Sequence, residues 1–327
     1  MWTQKSFSYL NSRCWICTFL LTLQGSFCFV HVSYEEDRSI IHKDGYNFER
    51  YALSMLLIYA VGFVLGSARN KIIINRCMAR IVPLFEKQFA QLGWEVAKTN
   101  KKLLQKESQN VYMFYSTGRR FCKGCLCVFH LKPRQDLLSS FFNLFFPDVN
   151  HDFMSIDIPM NEADMDSFLF SIVRQNQLNS LCHIMTDLAT YPRQVPLEFL
   201  PKTLCCLTDW DELVDKLMPS SFKQTIRKCE PSFELMHLSD QNRISYLSLN
   251  DVPKKALRFR FRIPPVERLD SEMIPLLKMV FEMIDLVGKL HLPEDANSKI
   301  LRQSKSKMEQ RRRANREGRR RNKSNAI

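Results

Sequence analysis

The sequence lacks the short motifs by which many enzymes are recognised. Its 327 residues contain no GxSxG, HExxH, GxGxxG or P-loop pattern, which excludes the hydrolases, zinc proteases and nucleotide-binding enzymes that carry those motifs. Glycine and proline are scarce, with 9 and 14 residues, so a collagen-like or low-complexity chain is excluded. The 24 phenylalanines and 14 methionines argue against a disordered chain. We therefore expect a folded protein that is not an enzyme.

Acidic residues are outnumbered, with 34 Asp and Glu against 47 Lys and Arg, a formal charge of +13. Residues 299–323 hold 12 Lys or Arg and 2 Glu, so most of the surplus lies in a C-terminal basic tail. Because arginine binds phosphate in a bidentate manner, this helical or partly disordered tail is predicted to bind the phosphates of nucleic acid or of an anionic membrane surface. A nuclear localisation signal or a merely solvated tail would have a similar sequence. The candidate residues are Arg311, Arg312, Arg313, Arg316, Arg319, Arg320 and Arg321.

Two segments near the N-terminus have no formal charge. The first lies between Arg13 and Glu35, and its basic start followed by an apolar run is typical of a signal sequence, cleaved or retained, over residues 1–31. The second, residues 51–68, extends roughly 27 Å as a helix, enough to cross a bilayer core. We predict a transmembrane helix there, with a buried core helix as the alternative.

The charges on either side of residues 51–68 predict how the chain is oriented. Arg69, Lys71, Arg76 and Arg80 follow this run without an acidic residue among them, whereas five acidic residues precede it within residues 35–49. The positive-inside rule then places the C-terminal part in the cytosol. Residues 32–50 become a short luminal segment.

Helical and strand patterns interleave from residue 69 to residue 292, which predicts one cytosolic α+β domain followed by the tail at 293–327. An amphipathic helix is expected over residues 72–92, kinked or split at Pro83. Strands are predicted at residues 94–97, 111–115, 125–131, 154–158, 167–173, 232–238 and 257–263.

The predicted strand at residues 257–263 alternates strictly. Its apolar side chains are Leu257, Phe259, Phe261 and Ile263, and its basic ones are Arg258, Arg260 and Arg262. The two sets point to opposite faces. The basic face has two interpretations: the solvated side of an edge strand, where charge discourages aggregation, or a second patch that binds RNA or a partner.

Two smaller groups of residues have possible chemical roles. Cys122 and Cys125 form a CxxC pattern, half of a zinc site, but the adjacent cysteines at 205–206 are poorly spaced as the other half. Buried free thiols are expected instead, and a thiol-dependent enzyme that uses Cys122 is the remaining enzymatic hypothesis. Asp164 and Asp166 are candidate cation ligands, although the EF-hand pattern is absent and solvated carboxylates are the expected role.

Four stretches of the sequence, in this order along the chain, resemble those of a known family. They are VYMFYSTGRRFCKG at residues 111–124, RQDLL at 134–138, MNEADMDSFLF at 160–170 and HLSDQ at 237–241. The chain resembles the calumin family, also called coiled-coil-domain-containing protein forty-seven, from the transmembrane segment to about residue 292. The stretch at 160–170 is the most specific, and none of the four is catalytic.

The resemblance implies a non-enzymatic membrane protein of the endoplasmic reticulum with one span and a cytosolic α/β domain. It implies a subunit of the PAT complex whose partners are an Asterix-like small membrane subunit, the ribosome, a Sec61-type translocon and nascent multipass membrane proteins. Its chaperone role is to assist the insertion and folding of those clients.

The resemblance also implies calcium binding by a luminal acidic segment, with no other cofactor, and a coiled-coil tail. Here the luminal segment is only residues 32–50 and the tail is short. The alternative function is a membrane-tethered interaction protein that uses its basic tail on anionic lipid.

Overall fold

The computed structural model describes residues 41–97, 100–136, 139, 151–185, 187–188, 193–240 and 255–293. The predicted signal sequence, the luminal segment as far as residue 40 and the basic tail from residue 294 lie outside the described residues. The chain divides into two units, Met1–Tyr59 and Ala60–Ile327. In the first unit the described part is helical, and the second holds the folded domain.

One helix, α1, occupies Ile41–Glu86. Beyond the apolar run, side chains three or four residues apart on α1 are buried in the core of the domain; they are Ile74, Cys77, Met78, Ile81 and Phe85. The expected split at Pro83 is wrong, because α1 continues through this residue to Glu86, held by the buried side chains on either side of it. The expected extension of the helix to residue 92 is also wrong, since residues 91–92 form a strand.

Ten strands form one antiparallel sheet in the order β1-β5-β6-β7-β12-β11-β8-β10-β9, with β4 beside β5. Their bounds are β1 Gln91–Leu92, β4 Leu104–Lys106, β5 Val111–Thr117, β6 Cys125–His130, β7 Phe153–Pro159, β8 Leu169–Arg174, β9 Arg193–Val195, β10 Leu204–Thr208, β11 Phe233–Ser239 and β12 Ala256–Arg262. A separate antiparallel pair consists of β2 Trp94–Ala97 and β3 Asn100–Lys102. The edge position considered for residues 257–263 is wrong, because β12 lies between β7 and β11.

The larger core lies between one face of the sheet and several helices. These are the second half of α1, then α3 Leu213–Leu217, α4 Ser220–Lys228 and α5 Ile274–Lys289. The sheet contributes fully buried aromatic rings such as Phe114, Phe129 and Phe259. As predicted, the apolar residues of β12 face this core.

The other face of the sheet carries a smaller apolar cluster. Helix α2, Leu178–Ile184, packs there against Val173, Leu207 and Leu235 of β8, β10 and β11. Next to this cluster, Arg258 of β12 lies opposite His237 of β11 and Asp157 of β7 in the strand register. The basic residues of β12 therefore belong to this second face.

Candidate functional site

The exposed apolar part of α1 is the most unusual surface of the described chain. Within the described residues, one helix, Phe48–Glu86, is long and apolar enough to cross a membrane. Its large apolar side chains are 49% to 73% exposed at Tyr51, Leu53, Met55, Leu56, Leu57, Ile58 and Tyr59. A buried core helix would hide these side chains, so their exposure in the described part of the chain argues against that alternative for residues 51–68. A water-exposed patch of this extent marks an interface with lipid or protein.

A polar joint fixes α1 to the loop after β6. A Cβ atom added at Gly66 would lie 2.1 Å from the carbonyl oxygen of Arg134, so only glycine permits this close approach. One turn later, the buried Asn70 donates from Nδ2 to the carbonyl oxygen of Lys132 at 3.1 Å and accepts from Arg134 Nη1 at 2.9 Å. Arg134 also forms a bidentate pair with Asp152, at 3.0 and 2.6 Å. This joint holds the helix and the loop in a fixed relation.

A basic cleft of about 560 Å³ opens beside this joint. On α1 its lining residues are Arg69, Ile72, Ile73, Arg76 and Cys77, which share one face because the last four lie three, four, seven and eight residues after the first. Lys132 and Arg134 line it from the loop after β6, and residues 262–267 line it from the end of β12. Asp152 and Glu267 are the acidic lining residues. No sequence motif points to this cleft, because its basic residues come from three separated segments.

The three arginines of β12 have different surroundings. Arg258 is 9% exposed, and its Nε donates to Asp157 Oδ1 at 2.6 Å. The guanidinium of Arg260 lies 5.0 Å from the ring centroid of Phe153, at a cation–π distance. Arg262, with a side chain that is 42% exposed, is the one of the three that lines the cleft. The structure therefore separates the candidate basic patch into one internal ion pair, one stacked residue and one cleft residue.

A buried glutamate balances part of this positive charge. Glu234 of β11 has an Oε1 atom 3.7 Å from Arg262 Nε and 2.6 Å from His151 Nε2. Burial by itself raises the pKa of Glu234, but His151 and the charges of Arg260 and Arg262 outweigh this and hold the pKa below its usual value. Glu234 therefore stays ionised beneath the arginines at neutral pH.

A Ser–His–Asp arrangement lies within the second face of the sheet. Ser171 Oγ is 2.6 Å from His237 Nδ1, and His237 Nε2 is 2.9 Å from Asp187 Oδ2. Ser239 donates to the same carboxylate oxygen at 2.8 Å. Burial raises the pKa of Asp187, but the hydrogen bond and charge of His237, with the bonds from Ser239 and the Leu188 N–H, lower it to about 2.

This arrangement is a structural network rather than a catalytic one. Ser171 is completely buried and His237 and Asp187 nearly so, so a substrate has no access to the hydroxyl. An ionised Asp187 accepts from His237 Nε2, which leaves Nδ1 to accept from Ser171, and every polar group then has a partner. The network ties the segment after α2 to β8 and β11. Sequence reasoning missed it, because Ser171, Asp187 and His237 are 16 to 66 residues apart in the sequence and meet only in the fold. No spacing motif marks them.

The cysteines of the CxxC pattern are buried thiols. Cys122, Cys125 and Cys127 all belong to the larger core, which confirms the expected buried free thiols. The Sγ atoms of Cys125 and Cys127 are 3.9 Å apart. Burial, with a smaller effect of Cys125, raises the pKa of Cys122 to about 12, which keeps it protonated and poorly nucleophilic at neutral pH.

The acidic residues considered as cation ligands have structural partners. Asp164 Oδ2 accepts from Asn161 Nδ2 at 2.8 Å, and Asp166 Oδ2 accepts from the backbone N–H of Leu292 at 2.7 Å. In the part of the chain that the structure describes, no three His, Cys, Asp or Glu side chains are grouped to hold a metal ion. The segment for which the family resemblance implies calcium binding is a different one, residues 32–50, of which the structure describes residues 41–50. The seven candidate arginines of the basic tail lie outside the described residues.

Comparison with known proteins adds the family. The sequence model described as "PAT complex subunit CCDC47" matches residues 45–326. An uncharacterized protein of Arabidopsis thaliana is 28% identical over 270 residues, covering 79% of this chain and 54% of that protein. The PAT complex subunits CCDC47 of Danio rerio and Homo sapiens are each 26% identical, covering 78% of this chain and 56% of theirs. The chain thus spans about half the length of the curated relatives it matches, and it belongs to the family of PAT complex subunit CCDC47.

Proposed function

We propose that this protein is a non-catalytic accessory subunit of the multipass translocon in the endoplasmic-reticulum membrane. The exposed apolar part of α1 is the observation that carries the proposal, because its side chains are exposed in the described part of the chain and such a surface requires lipid or membrane partners. Membership in the PAT complex subunit family supports the specific role. In this role an Asterix-like subunit and a Sec61-type translocon contact the span, and nascent multipass proteins are the clients.

The proposed orientation places the N-terminal side of the span in the lumen and the folded domain in the cytosol. It rests on the four basic residues that follow residues 51–68 and on the acidic residues that precede them. In sealed microsomes, added protease is expected to digest the folded domain. Protection of the domain until detergent is added would contradict this orientation.

The basic tail is proposed to contact ribosomal RNA. Seven arginines within residues 311–321 would contribute about 5 to the slope of log affinity against log salt if each binds one phosphate of single-stranded RNA. Replacing all seven with glutamine is expected to weaken ribosome co-sedimentation and to flatten its salt dependence by that amount. A variant in which Lys87, Lys123, Lys202, Lys216, Lys223, Lys228 and Lys278 become glutamine removes the same number of positive charges outside the tail and serves as the control.

The same experiment separates the two candidate partners of the tail. Ribosome binding that persists after lipid is removed with detergent supports the RNA contact. Binding that disappears with the lipid, while the arginine variant loses affinity for anionic vesicles, would favour the membrane-tethered alternative. An unchanged salt slope in the arginine variant would remove the tail from either mechanism.

A further inference from the structure

We infer that the basic cleft binds the phosphate headgroup of an anionic phospholipid. The inference deepens the proposed function, because it rests on α1 crossing the membrane just before the cleft. The cleft is distinct from the basic tail, which lies outside the described residues. Its volume of about 560 Å³ lies within the usual range of small-ligand sites.

The charges that line the cleft leave cations available for a ligand. Five Lys or Arg residues line it, against two acidic residues. Asp152 is already occupied, since it accepts from both guanidinium nitrogens of Arg134 and from the backbone N–H of Lys132 at 2.7 Å. Among the described residues, no carboxylate lies within ion-pair distance of Arg69, Arg76 or Lys132. A phosphate group would supply the negative charge that these three side chains lack.

The position of the cleft along α1 favours a lipid as the source of the phosphate. Arg69 is the first charged residue after the apolar run, and Arg76 lies about 10 Å further along the same helical face. Basic side chains just beyond a span lie at the depth of the lipid headgroups, where anionic lipid attracts them. A ligand that enters from the bilayer therefore reaches Arg69 first.

The lining of the cleft is mixed rather than uniformly basic. Ile72 of α1 is 50% exposed, and Val266 in the opposite wall is 36% exposed. Exposed aliphatic side chains beside cations suit the glycerol and upper acyl carbons of a lipid. An RNA strand would instead need a longer basic groove with aromatic surfaces for its bases, which these lining residues do not provide.

The test uses the full chain purified in a neutral detergent, with dioctanoyl phosphatidic acid as the probe. The cleft variant changes Arg69, Arg76 and Lys132 to glutamine. The matched control changes Lys87, Lys123 and Lys278 to glutamine; these residues do not line the cleft, and the loss of charge is the same. The cleft variant is expected to weaken binding by about tenfold or more and the control by less than about twofold. Equal affinities of the cleft variant and the unaltered protein would overturn the inference.

Two further ligands distinguish the source of the phosphate. Inorganic phosphate and a single-stranded RNA oligomer are titrated as competitors of the lipid. Weak competition by both supports the lipid assignment. If inorganic phosphate binds as tightly as the lipid, or if RNA binds more tightly and displaces it, the assignment is overturned.

A single substitution keeps the test decisive if the triple variant fails to fold. Arg76 is exposed and has no ion pair in the described part of the chain, so Arg76→Gln is expected to leave thermal unfolding unchanged and to weaken lipid binding by about threefold or more. Unchanged binding in this folded variant would also count against the inference. Failure of the proposed function is distinguishable, because the microsome experiment reports orientation independently of lipid affinity.

Discussion

Replacing Arg258 with glutamine is expected to destabilise the folded domain far more than the same change at Arg262. Arg258 donates to Asp157 at 2.6 Å, and both side chains are less than one-fifth exposed, at 11% and 16%. Glutamine is shorter and uncharged, so the change leaves the Asp157 carboxylate in the middle of the sheet without its counterion. The expected loss of stability therefore comes from the unpaired charge of Asp157 and not from the smaller volume of glutamine.

The expected magnitudes follow from burial and distance. Removing one partner of a buried ion pair costs about 3 kcal/mol, because the other charge stays desolvated and unpaired. At Arg262 the distance to Glu234 is 3.7 Å and the side chain is 42% exposed, so its replacement costs at most about 1 kcal/mol. The double variant Arg258→Gln with Asp157→Asn removes both charges and is expected to recover about 2 kcal/mol relative to the sum of the single changes.

The assay is chemical unfolding of the full chain in detergent, followed by tryptophan fluorescence. It compares the free energy of unfolding of the unaltered protein, the two single arginine variants, Asp157→Asn and the double variant. Equal losses at Arg258 and Arg262 would refute the assignment of Arg258 to an internal pair. Strict additivity in the double variant would show that the two groups do not interact, whatever their distance.

Three other perturbations test the core and the buried groups. Phe259→Ala is expected to cost about 3–5 kcal/mol in the same unfolding assay, because the ring is completely buried; a cost below about 1 kcal/mol would contradict the assigned core face. The pKa of Asp187 is lowered from 3.8 to about 2, so its contribution of about 2 kcal/mol is present above pH 4 and lost as the pH falls towards 2. The Asp187→Asn variant should lack this part of the acid dependence, and an unchanged acid limb would refute the assignment. Burial raises the pKa of Cys122 and of Cys206 from 9.0 to about 12. Between pH 9 and pH 12 these thiols are therefore ionised in the unfolded state and still protonated in the folded state. The free energy of unfolding is expected to fall as the pH rises through this range. Replacing both cysteines with alanine should flatten that alkaline decline, and an equally steep decline would exclude these thiols as its cause.

The alternation of residues 257–263 predicted a strand and its core face, but the position of that strand in the sheet was not predictable. Three arginines on one face indicated an edge, since unpaired charge is rarely placed in the middle of a sheet. The compensating acids are Asp157, 101 residues earlier, and Glu234 on the neighbouring strand. Strand order depends on which segments pair in three dimensions, and periodicity within one segment does not report it.

The strand β10 was not predicted, although β6, β8 and β11, which are also buried on both faces, were. The strand β10, Leu204–Thr208, has every residue buried, with Cys206 in the larger core and Cys205 in the smaller cluster. Its short LCCLT sequence has no period of two, so it gave no strand signal. In contrast, β5 and β7 alternate between buried and half-buried residues, and both were predicted.

The long helix was predicted as two pieces, because its two halves have different surroundings. Residues 51–68 carry no charge on any side, whereas the part of α1 after Arg69 has one buried face. Neither the uncharged run nor the amphipathic pattern after it indicates that one continuous helix connects the two parts. The role of Gly66 was also hidden, since a glycine within an apolar run gives no indication of the Arg134 backbone that lies against it.

The four stretches that resemble the family contain residues that join separate parts of the domain. Arg119 pairs with Asp285 of α5 at 2.8 Å, and Arg134 belongs to the joint with α1. Asp166 binds the backbone after α5, and His237 belongs to the buried network. Because these residues form contacts within the domain, the resemblance indicates that this chain shares the family's fold and the attachment of the domain to α1. It gives less information about binding partners, which contact exposed side chains. At 26% to 28% identity, the relatives are therefore a better guide to the fold of this chain than to its binding surfaces. The experiments on the basic cleft and the basic tail accordingly use this chain itself.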